Sequence, residues 1–519
     1  MKYPIGIQTF ENLREGGFVY VDKTALVHQL VDTGTIYFLC RPRRFGKSLL
    51  LSTIKAYFQG KKNLFKGLAM ENMEVEWAEY PVFHLDFNSQ DFTKEGVLEK
   101  ALLDYITEWE DIYGQEADDM TVGSRFRRLL SKAHAMTGRQ CVVLVDEYDK
   151  PLLDVLDTEM ESKNREMLKA FYSTFKAADE HLRFVMLTGV TKFSQITVFS
   201  GLNQPRDISM SPQYDTICGI SEEELHKYFT EQVADMALKY GVSVPEMFEL
   251  LKLQYDGYHF SESMLNIYNP YSLLNSLADR RIDDYWFRTG TPTYLIKLME
   301  HFRENINELT ARQYPPEEFI DYRADMEKPL PMIYQSGYLT ITGYDMRRNR
   351  YKLDFPNNEV KSGFVTMIAN SYFGLKSSAT SWIDDMVDAL EDGDLEQLRK
   401  LLTSFLASIP YTERRKEDEK ERERYFHYTF YLILRMISVY TVFTEKMASQ
   451  GRSDCVIETP GYVYIFEFKL DGAAAEAIAQ INERGYAREY EADARPLYKV
   501  GCCFSSATGT VSDWAVEQR

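Results

Sequence analysis

Three consecutive residues, Gly46, Lys47 and Ser48, lie where a predicted strand passes into a predicted helix. The apolar residues 36–40 predict the strand, and the residues from Ser48 onward have helical spacing. Backbone N–H groups at a helix start can bind phosphate oxygens, a lysine here can reach the β- and γ-phosphates of a nucleotide, and a serine can bind Mg²⁺. These residues match the end of a G-x-x-x-x-G-K-S/T phosphate loop, although Arg41 stands at the first glycine position. Alone, they are equally typical of a basic loop before an ordinary helix.

A second motif is the apolar run from Cys141 to Val145, which ends in the acids Asp146 and Glu147. Such a run is typical of a parallel strand buried on both faces, and open α/β sheets bind ligands at the carboxyl ends of their strands. Asp146 is therefore the candidate partner of the Mg²⁺ ion, and Glu147 is the candidate base for the attacking water. An acidic turn after an ordinary strand is the alternative. Because both motifs occur in this order, roughly a hundred residues apart, we predict a site for ATP and Mg²⁺.

The predicted nucleotide contacts extend around the loop and to a later strand. The strand predicted at 183–190 is followed by Thr191 and Lys192, which could sense the γ-phosphate or orient water, although a capping role accounts for them equally well. Arg206 and Arg288 are candidates for an arginine finger, but a surface or ion-pairing role is favoured for both. The residues predicted to bind the nucleotide are Arg43, Arg44, Phe45, Gly46, Lys47, Ser48, Leu49, Asp146 and Thr191, with Ser48 and Asp146 as metal ligands.

A separate group of charged residues lies near the carboxyl-terminal end of the sequence. Residues 461–470 alternate as a strand should, which places Glu467 and Lys469 on one face at the end of an apolar strand. This placement costs free energy unless the two side chains have partners. Upstream, Asp454 enters another short predicted strand. Two carboxylates can hold Mg²⁺ over a phosphodiester, and a neighbouring lysine can steer the water or stabilise developing charge.

Length and composition limit the class of protein. A chain of 519 residues is too long for one core, so we expect two to four domains. No apolar run approaches the ~18 residues that span a bilayer, and the first residues lack the layout of a secretory signal, so no membrane association is expected. The 6 cysteines have no regular spacing and suit a reducing, cytoplasmic environment. The net charge of −19 argues against an extended nucleic-acid coat, but not against a small basic groove or a metal-bridged DNA site.

Eight segments of the first 300 residues together resemble a bacterial family of AAA-like predicted ATPases, related to archaeal ATPases and to signal-transduction ATPases with numerous domains. The segments are YPIGIQTFENL, YVDKT, RPRRFGKSLLLST, VVLVDEYDKPLL, LTGVTKFSQITVFSGLNQPRDIS, YDGYHF, YNPYSLL and WFRTGTPTYL. The resemblance implies that Arg41 belongs to the family's own phosphate loop. It also implies a helical or winged-helix-like lid that closes over the nucleotide.

The acid and E-x-K pattern of residues 421–519 resembles the PD-(D/E)XK nuclease superfamily, with Ser-Asp where the motif's name has Pro-Asp. The resemblance implies an acid near an early helix, for which Glu445 is our choice, after a helix predicted at 425–439. It also implies that Gln480 and Tyr486 brace the active site or contact substrate. The predicted catalytic residues are Glu147, Asp454, Glu467, Lys469 and Gln480, with Glu445, Asp454 and Glu467 as metal ligands. The resemblance favours DNA as the nucleic-acid partner.

These motifs predict an α/β multidomain protein. Its expected parts are a parallel-sheet P-loop ATPase core (1–215), a helical or winged-helix-like module (216–330), a connector with a hairpin and helices (331–420), and a restriction-endonuclease-like domain (421–519). The predicted function is nucleic-acid cleavage under nucleotide control, with a homo-oligomer as a further expectation. One alternative is a nucleotide switch whose last domain binds or assembles without cutting. Another is a nuclease whose first half binds nucleotide without hydrolysing it.

Overall fold

The chain forms two units, each built around a five-stranded sheet. The computed structural model describes residues 1–115, 120–156, 158–193, 205–287, 309–310, 312–320, 330–373, 379–408, 441–448 and 451–519. The described residues up to Glu359 form the first unit, and those from Val360 to Arg519 form the second. The boundaries predicted at 215, 330 and 420 subdivide these units and stay predictions.

The central sheet of the first unit is entirely parallel and has the strand order β2-β3-β4-β1-β5. Every residue of β3 is buried, as the continuous apolar run predicts. Because β4 lies between β1 and β3, the carboxyl ends of these three strands are neighbours at one edge of the sheet. The strands are β1 (Ile36–Cys40), β2 (Val82–Asp86), β3 (Cys141–Asp146), β4 (Leu182–Gly189) and β5 (Arg206–Asp207).

Helices connect and cover these strands. Helical patterns in the sequence at about 94–112, 122–137 and 160–179 predict three of them to within a few residues. Thr121 caps the sixth helix by accepting a hydrogen bond from the Ser124 N–H, and Gly138 ends it in the left-handed conformation. The described helices here are α1 (Phe10–Glu15), α2 (Thr24–Thr33), α3 (Lys47–Phe58), α4 (Ala69–Met73), α5 (Val97–Tyr113), α6 (Val122–Thr137), α7 (Lys150–Leu153) and α8 (Glu159–Ala177).

A mainly helical region follows, with a short antiparallel ribbon of β6 (Ile220–Ser221) and β7 (Ile267–Tyr268). Ser221 and Glu224 form a capping box at the first of its helices. The helices are α9 (Glu222–Tyr240), α10 (Val244–Tyr255) and α11 (Pro270–Asp279). Their apolar faces pack into one core cluster with the ribbon.

The first unit ends in a small sheet of order β8-β10-β9, formed by β8 (Gln313–Tyr314), β9 (Thr340–Asp345) and β10 (Arg350–Asp354). The predicted hairpin is therefore present. The sequence of residues 332–343 predicts a strand with a turn. The first half of this prediction is wrong, because Leu330–Gln335 form a helix, α12, that is almost wholly buried. A short apolar run fits a buried strand and a buried helix turn equally well.

The second unit pairs helices with a mixed sheet of order β11-β12-β13-β14-β15. Only β13 and β14 are parallel, and the helix α16 forms the crossover between them. Its helices are α13 (Asn358–Phe373), α14 (Ala379–Glu391), α15 (Leu395–Ser408) and α16 (Ala474–Glu483). Its strands are β11 (Thr441–Ala448), β12 (Gly451–Glu458), β13 (Val463–Leu470), β14 (Leu497–Phe504) and β15 (Val511–Gln518).

The α/β multidomain class predicted from the sequence is confirmed by the parallel sheet of the first unit and the mixed sheet of the second. The helix predicted at 425–439 lies outside the described residues. Among the helices that the structure describes, none is long and apolar enough to cross a membrane. All 6 cysteines are buried and unpaired with one another.

Candidate functional sites

The loop between β1 and α3 turns sharply enough to require left-handed backbone. Arg44 has φ 68° and Gly46 has φ 94°, and α3 begins at the next residue, Lys47. Only glycine adopts the second of these angles without strain. Ser48, which is half-buried, and Leu49 therefore lie in the first turn of the helix, where backbone N–H groups have no partner within the helix. The predicted phosphate-binding residues thus occur at a true helix start.

The Lys47 side chain turns back into the loop that precedes it. Its ammonium donates hydrogen bonds to the carbonyl oxygens of Arg41 and Pro42, at 3.0 and 3.1 Å. The side chain is only 6% exposed, so its charge lies inside the concave loop rather than in solvent. Among the described residues, the hydrogen-bond partners of this buried cation are neutral carbonyls, so the cation is well placed to attract an anion.

Arg41, at the first glycine position of the motif, packs into protein. Its guanidinium donates to the carbonyl oxygens of Cys40 at 2.9 Å, Ser209 at 2.7 Å and Tyr214 at 3.2 Å. It also lies 3.9 Å from the ring centroid of Phe260, a cation–π contact. Burial lowers the pKa of this arginine from its usual value. The arginine therefore anchors the start of the loop to the segment that follows β5.

The acids at the end of β3 lie in a polar cluster. Thr188, from the end of β4, donates a hydrogen bond to Asp146 Oδ1 at 2.7 Å, and the Glu147 N–H donates to the same oxygen at 3.1 Å. Glu147 has φ 49°, a left-handed conformation that is uncommon for a glutamate. Burial raises the pKa of Glu147; Lys47 lowers it and Asp146 raises it, with smaller opposing effects of Arg43 and Asp86. Lys47 of the first motif and Glu147 of the second are therefore close enough for their charges to interact.

Thr191 does not join this cluster through its hydroxyl. The hydroxyl donates to Met332 Sδ at 3.5 Å, while the Thr191 N–H donates to Asp149 Oδ2 at 2.6 Å. The Val190 N–H donates to the same Asp149 oxygen at 3.0 Å. Thr188 rather than Thr191 supplies the hydroxyl beside Asp146. Asp149 is a residue that the sequence reasoning missed; its position three residues after Asp146 in the DEYD run was the available signal.

The candidates for γ-phosphate contacts have different surroundings. Lys192 forms an ion pair with Asp207 at 2.9 Å, and its N–H donates to Gln335 Oε1 at 2.8 Å. Arg206 is exposed at the start of β5. Arg288 lies outside the described residues. The exposure of Arg206 is compatible with the surface role favoured for it from the sequence, whereas the alternatives for Lys192 stay open.

An open, mostly apolar pocket of about 590 Å³ borders the loop. It is lined by residues between Pro4 and Lys23, by the loop, by the first turns of α3 and by the segment after β5. Most of its described lining residues are apolar, and Lys23 is the charged residue among them. Apolar walls with few polar groups are typical of a ligand pocket. Lining residues include Val21, Lys23, Phe45, Gly46, Leu49, Leu50, Ile217 and Ile220.

In the second unit, strand β13 presents Glu467 and Lys469 to helix α16. The Lys469 ammonium donates to Gln480 Oε1 at 2.6 Å, and Gln480 Nε2 donates to Glu467 Oε1. Glu467 is 2% exposed, and its other carboxylate oxygen has no hydrogen-bond partner among the described residues. The structure therefore brings together three of the predicted residues, with Gln480 bridging the other two.

Asp454, on the neighbouring strand β12, completes this group. Its Oδ2 accepts a hydrogen bond from the Phe468 N–H at 2.8 Å. Burial and the nearby Asp454 carboxylate raise the pKa of Glu467 to about 7, against the opposing effects of Lys469 and Gln480. Two carboxylates, one of them with a buried unbonded oxygen, form a donor set that suits a hard divalent cation such as Mg²⁺.

The predicted ligand Glu445 lies on strand β11, between residues that pair with Cys455 and Ser453 of β12, which flank Asp454. It is thus on a strand rather than at a helix, and its side chain lies outside what the structure describes. Among the side chains that are described, no group of three His, Cys, Asp or Glu comes together. Glu445 stays a prediction as third ligand.

The aromatic residue predicted to brace this site packs in the core beneath it. Tyr486 is 5% exposed and belongs to a cluster with Val463 and Ile465, the apolar residues on the same face of β13 as Glu467. The alternation of β13 thus places its apolar end against α16 and its charged end at the site. Tyr464 and Phe466 face the opposite side, where Tyr464 stacks on Tyr498.

Two family models match the chain. Residues 4–199 match the predicted AAA-ATPase family, and residues 421–514 match the PD-(D/E)XK nuclease superfamily. A curated protein of Azotobacter chroococcum mcd 1, described as "Uncharacterized protein in vnfD 5'region", is 35% identical over 524 residues, which cover 99% of this chain and 99% of that protein. The resemblance drawn from the sequence motifs is therefore confirmed for both parts. The chain belongs to the predicted AAA-ATPase-like family, with a PD-(D/E)XK nuclease superfamily domain at its carboxyl-terminal end.

Proposed function

We propose that the first unit binds and hydrolyses ATP with Mg²⁺ at the loop between β1 and α3. The observation that carries this is the buried ammonium of Lys47 inside the loop, electrostatically coupled to Glu147. The β- and γ-phosphates would replace the two loop carbonyls as partners of Lys47, and the first-turn N–H groups of α3 would bind further oxygens. The apolar pocket beside Phe45 is suited to the adenine base.

The remaining polar residues have distinct roles in this proposal. Ser48 and Asp146 would hold the Mg²⁺ ion, which neutralises charge on the phosphates during transfer. Glu147 would orient the attacking water and accept its proton, and its raised pKa brings it closer to that of a base working near neutral pH. Thr188 fixes the orientation of Asp146 through the hydrogen bond between them.

Phosphate release by the full-length protein tests the ATP site. Glu147→Gln should bind ATP·Mg²⁺ but lose turnover by about 10²- to 10⁴-fold, because the amide cannot take the proton. Lys47→Ala should lose binding itself. Lys55→Ala, on the same helix, is the matched control and should retain both. If wild type binds ATP·Mg²⁺ but releases no phosphate, like Glu147→Gln, the protein binds nucleotide without hydrolysing it; if both variants release phosphate at the same measurable rate, Glu147 is not the base.

We further propose that the second unit cleaves DNA with Mg²⁺ at the group formed by Asp454, Glu467, Lys469 and Gln480. Asp454 and Glu467 would bind the metal ion, which activates water and stabilises the charge that develops on the phosphate. Lys469 would steer the water or balance the negative charge of the pentacoordinate transition state. Gln480 accepts a hydrogen bond from Lys469 and holds it in place. Homology at the superfamily level and the buried unbonded oxygen of Glu467 support this assignment.

Incubation of plasmid with Mg²⁺ or Mn²⁺, with and without ATP, tests this proposal. Asp454→Asn and Lys469→Met should each reduce cleavage by at least 10²-fold. Lys499→Met is the matched control. This lysine lies on the neighbouring strand β14 and forms an ion pair with Glu517 at 2.5 Å rather than a contact with Gln480. If wild type and Asp454→Asn are equally inert with every metal and nucleotide, the cleavage proposal is wrong.

A non-cleaving nucleotide switch is the second candidate. The observation that favours it is the bridge from Lys469 through Gln480 to Glu467, in which Gln480 takes up the Lys469 ammonium and one Glu467 oxygen as hydrogen-bond partners. In that case the carboxyl-terminal domain binds nucleic acid or assembles without cutting. DNA binding by a protein that is inert in the plasmid assay, and that retains ATP hydrolysis, would favour this candidate.

A further inference from the structure

The phosphate loop is held by aromatic residues that follow the parallel-sheet core in sequence. The Phe45 ring contacts those of Tyr258 and Phe260, with ring centroids 4.8 and 5.5 Å apart. The Arg44 guanidinium lies 5.0 Å from the ring centroid of Tyr271. These residues come from the YDGYHF and YNPYSLL segments, whose role the proposed chemistry does not explain. Both segments therefore contact the loop directly.

Trp286, from the WFRTG segment, makes a directional contact with the same loop. Its indole Nε1–H donates a hydrogen bond to the Arg43 carbonyl oxygen at 3.0 Å. The Trp286 residue is 6% exposed and its ring packs on Tyr338 at 5.3 Å, whereas Arg43 itself is exposed. A rigid, buried indole thus fixes the backbone of an otherwise exposed turn.

A buried glutamate fixes Trp286 in turn. Glu359 Oε1 accepts a hydrogen bond from the Trp286 backbone N–H at 2.7 Å, and Glu359 is 1% exposed. Burial raises the pKa of Glu359 to about 7, with Asp284 adding to the increase and the hydrogen bond from the Trp286 N–H opposing it. Burying an acid is unfavourable unless its hydrogen bonds compensate. Glu359 lies in the first turn of α13, the helix through which the chain passes into the second unit.

We propose that Trp286 and Glu359 are positioning residues for the phosphate loop, and that they link the nucleotide state of the loop to the first turn of α13. The link runs from the Arg43 carbonyl through the indole to the Trp286 backbone and the Glu359 carboxyl. Nucleotide binding at Lys47 draws this lysine from the carbonyls of Arg41 and Pro42, so the neighbouring Arg43 peptide moves with it. The second half of the proposal depends on the proposed ATP site, but the first half does not.

Amide hydrogen exchange of the full-length protein, measured by mass spectrometry without nucleotide, tests the first half. Trp286→Phe keeps an aromatic ring but removes the N–H, so exchange over residues 41–47 should be about 2- to 10-fold faster than in wild type. Glu359→Ala should have the same effect, and Glu359→Gln, which keeps an acceptor oxygen, should restore the wild-type rate. Trp77→Phe is the matched control, because the Trp77 indole N–H has no hydrogen-bond partner among the described residues.

The same measurement with ATP·Mg²⁺ tests the second half. In wild type, nucleotide should slow exchange in the first turn of α13, and in Trp286→Phe this response should be lost. In the phosphate-release assay, Trp286→Phe should raise the KM for ATP and change kcat little. Unaltered loop exchange in Trp286→Phe without nucleotide overturns the positioning role. A wild-type loop that exchanges identically with and without ATP overturns the link and also contradicts the proposed ATP site. Intact ATP binding with an unchanged α13 response in Trp286→Phe overturns the link alone.

Discussion

Arg41 illustrates how one residue can hold the backbone of a loop in place while departing from the consensus of its motif. The guanidinium occupies a buried position that a glycine would leave empty, and its three carbonyl partners come from the end of β1 and from the segment at 209–214. The loop backbone is therefore anchored from outside by a side chain, rather than being freed by a glycine. This explains why the sequence match is imperfect although the helix start is intact.

We predict that Arg41→Met lowers the free energy of unfolding of the first unit by about 3 kcal/mol, because buried carbonyl oxygens lose their donors. Urea unfolding of the full-length protein followed by circular dichroism measures the change. Arg43→Met is the control, since Arg43 is exposed. Equal stability of the two variants would contradict an anchoring role for Arg41.

Asp256 gives a pH dependence whose sign follows from its burial. The residue is 1% exposed, and burial raises the pKa of its carboxyl to about 6. The Gly257 N–H, Lys252 and His259 oppose this increase, and Glu222 adds to it. Between about pH 4 and 6 the folded state keeps a proton that the unfolded chain has lost, so this residue's contribution to stability falls as pH rises through that window. Above about pH 6, the buried ionised carboxyl destabilises the folded state by an amount that no longer changes with pH.

Asp256→Asn should therefore be more stable than wild type by up to about 3 kcal/mol at pH 7.5, and by less at pH 5. Chemical denaturation at the two pH values measures the difference. The same change at an exposed acid, Glu223→Gln, provides the comparison. A gain at pH 5 as large as that at pH 7.5 would show that the Asp256 carboxyl is not responsible.

At the scale of elements, the position of α16 on its sheet decides whether Gln480 reaches β13. Gly501 of β14 lies directly beneath the helix, and a Cβ atom there would be 2.2 Å from the Ala474 carbonyl oxygen and 3.2 Å from Ala477 Cβ. At the helix start, the Ala474 N–H donates to Asp513 Oδ2 at 2.8 Å. Close packing by a glycine and a cap from β15 together set the height and register of the helix.

Gly501→Ala should consequently push α16 away from the sheet. We expect a loss of about 2 kcal/mol in stability, and a loss of cleavage because Gln480 no longer holds Lys469. Gly461→Ala is the control, since a Cβ atom at Gly461 has no heavy atom within 4 Å. Thermal unfolding and the plasmid assay follow both effects. Full cleavage by Gly501→Ala would show that the helix position is not critical.

At the scale of the whole molecule, the chain is divided into two units with separate sheets, and the two candidate sites fall in different units. A ligand that binds only the folded form of one unit stabilises that unit alone. ATP·Mg²⁺ at about 100 times its dissociation constant should add about 2.7 kcal/mol to the first unit. The stabilisation of the first unit by ATP·Mg²⁺ can be measured without either enzymatic activity.

Differential scanning calorimetry of the full-length protein should show one transition that ATP·Mg²⁺ moves upward and a second that it leaves in place. Lys47→Ala should abolish the shift, and Lys55→Ala should retain it. Mg²⁺ alone serves as the reference condition. A single transition that shifts as a whole would mean that the two units unfold cooperatively.

The sequence by itself determined the elements on which the candidate site residues lie. The apolar run of β3 and the alternation of β13 depend on local patterns, so their limits and the faces of Glu467 and Lys469 followed from periodicity. The helix start at Lys47 followed from a motif whose backbone geometry depends on neighbouring residues alone. Family membership followed from the same motifs, because a string of them is specific where each one is common.

Only the tertiary structure decided which distant side chains meet. Thr188 rather than Thr191 contacts Asp146 because the register of β4 against its neighbours selects it, and register is a property of paired strands. Asp149 binds the backbone that follows β4, whereas Arg41 belongs to the loop between β1 and α3 and Trp286 contacts it. All these contacts join residues far apart in sequence, which no local pattern encodes. The helix α12 replaced a predicted strand for the same reason: burial on all sides removes the periodicity that distinguishes the two.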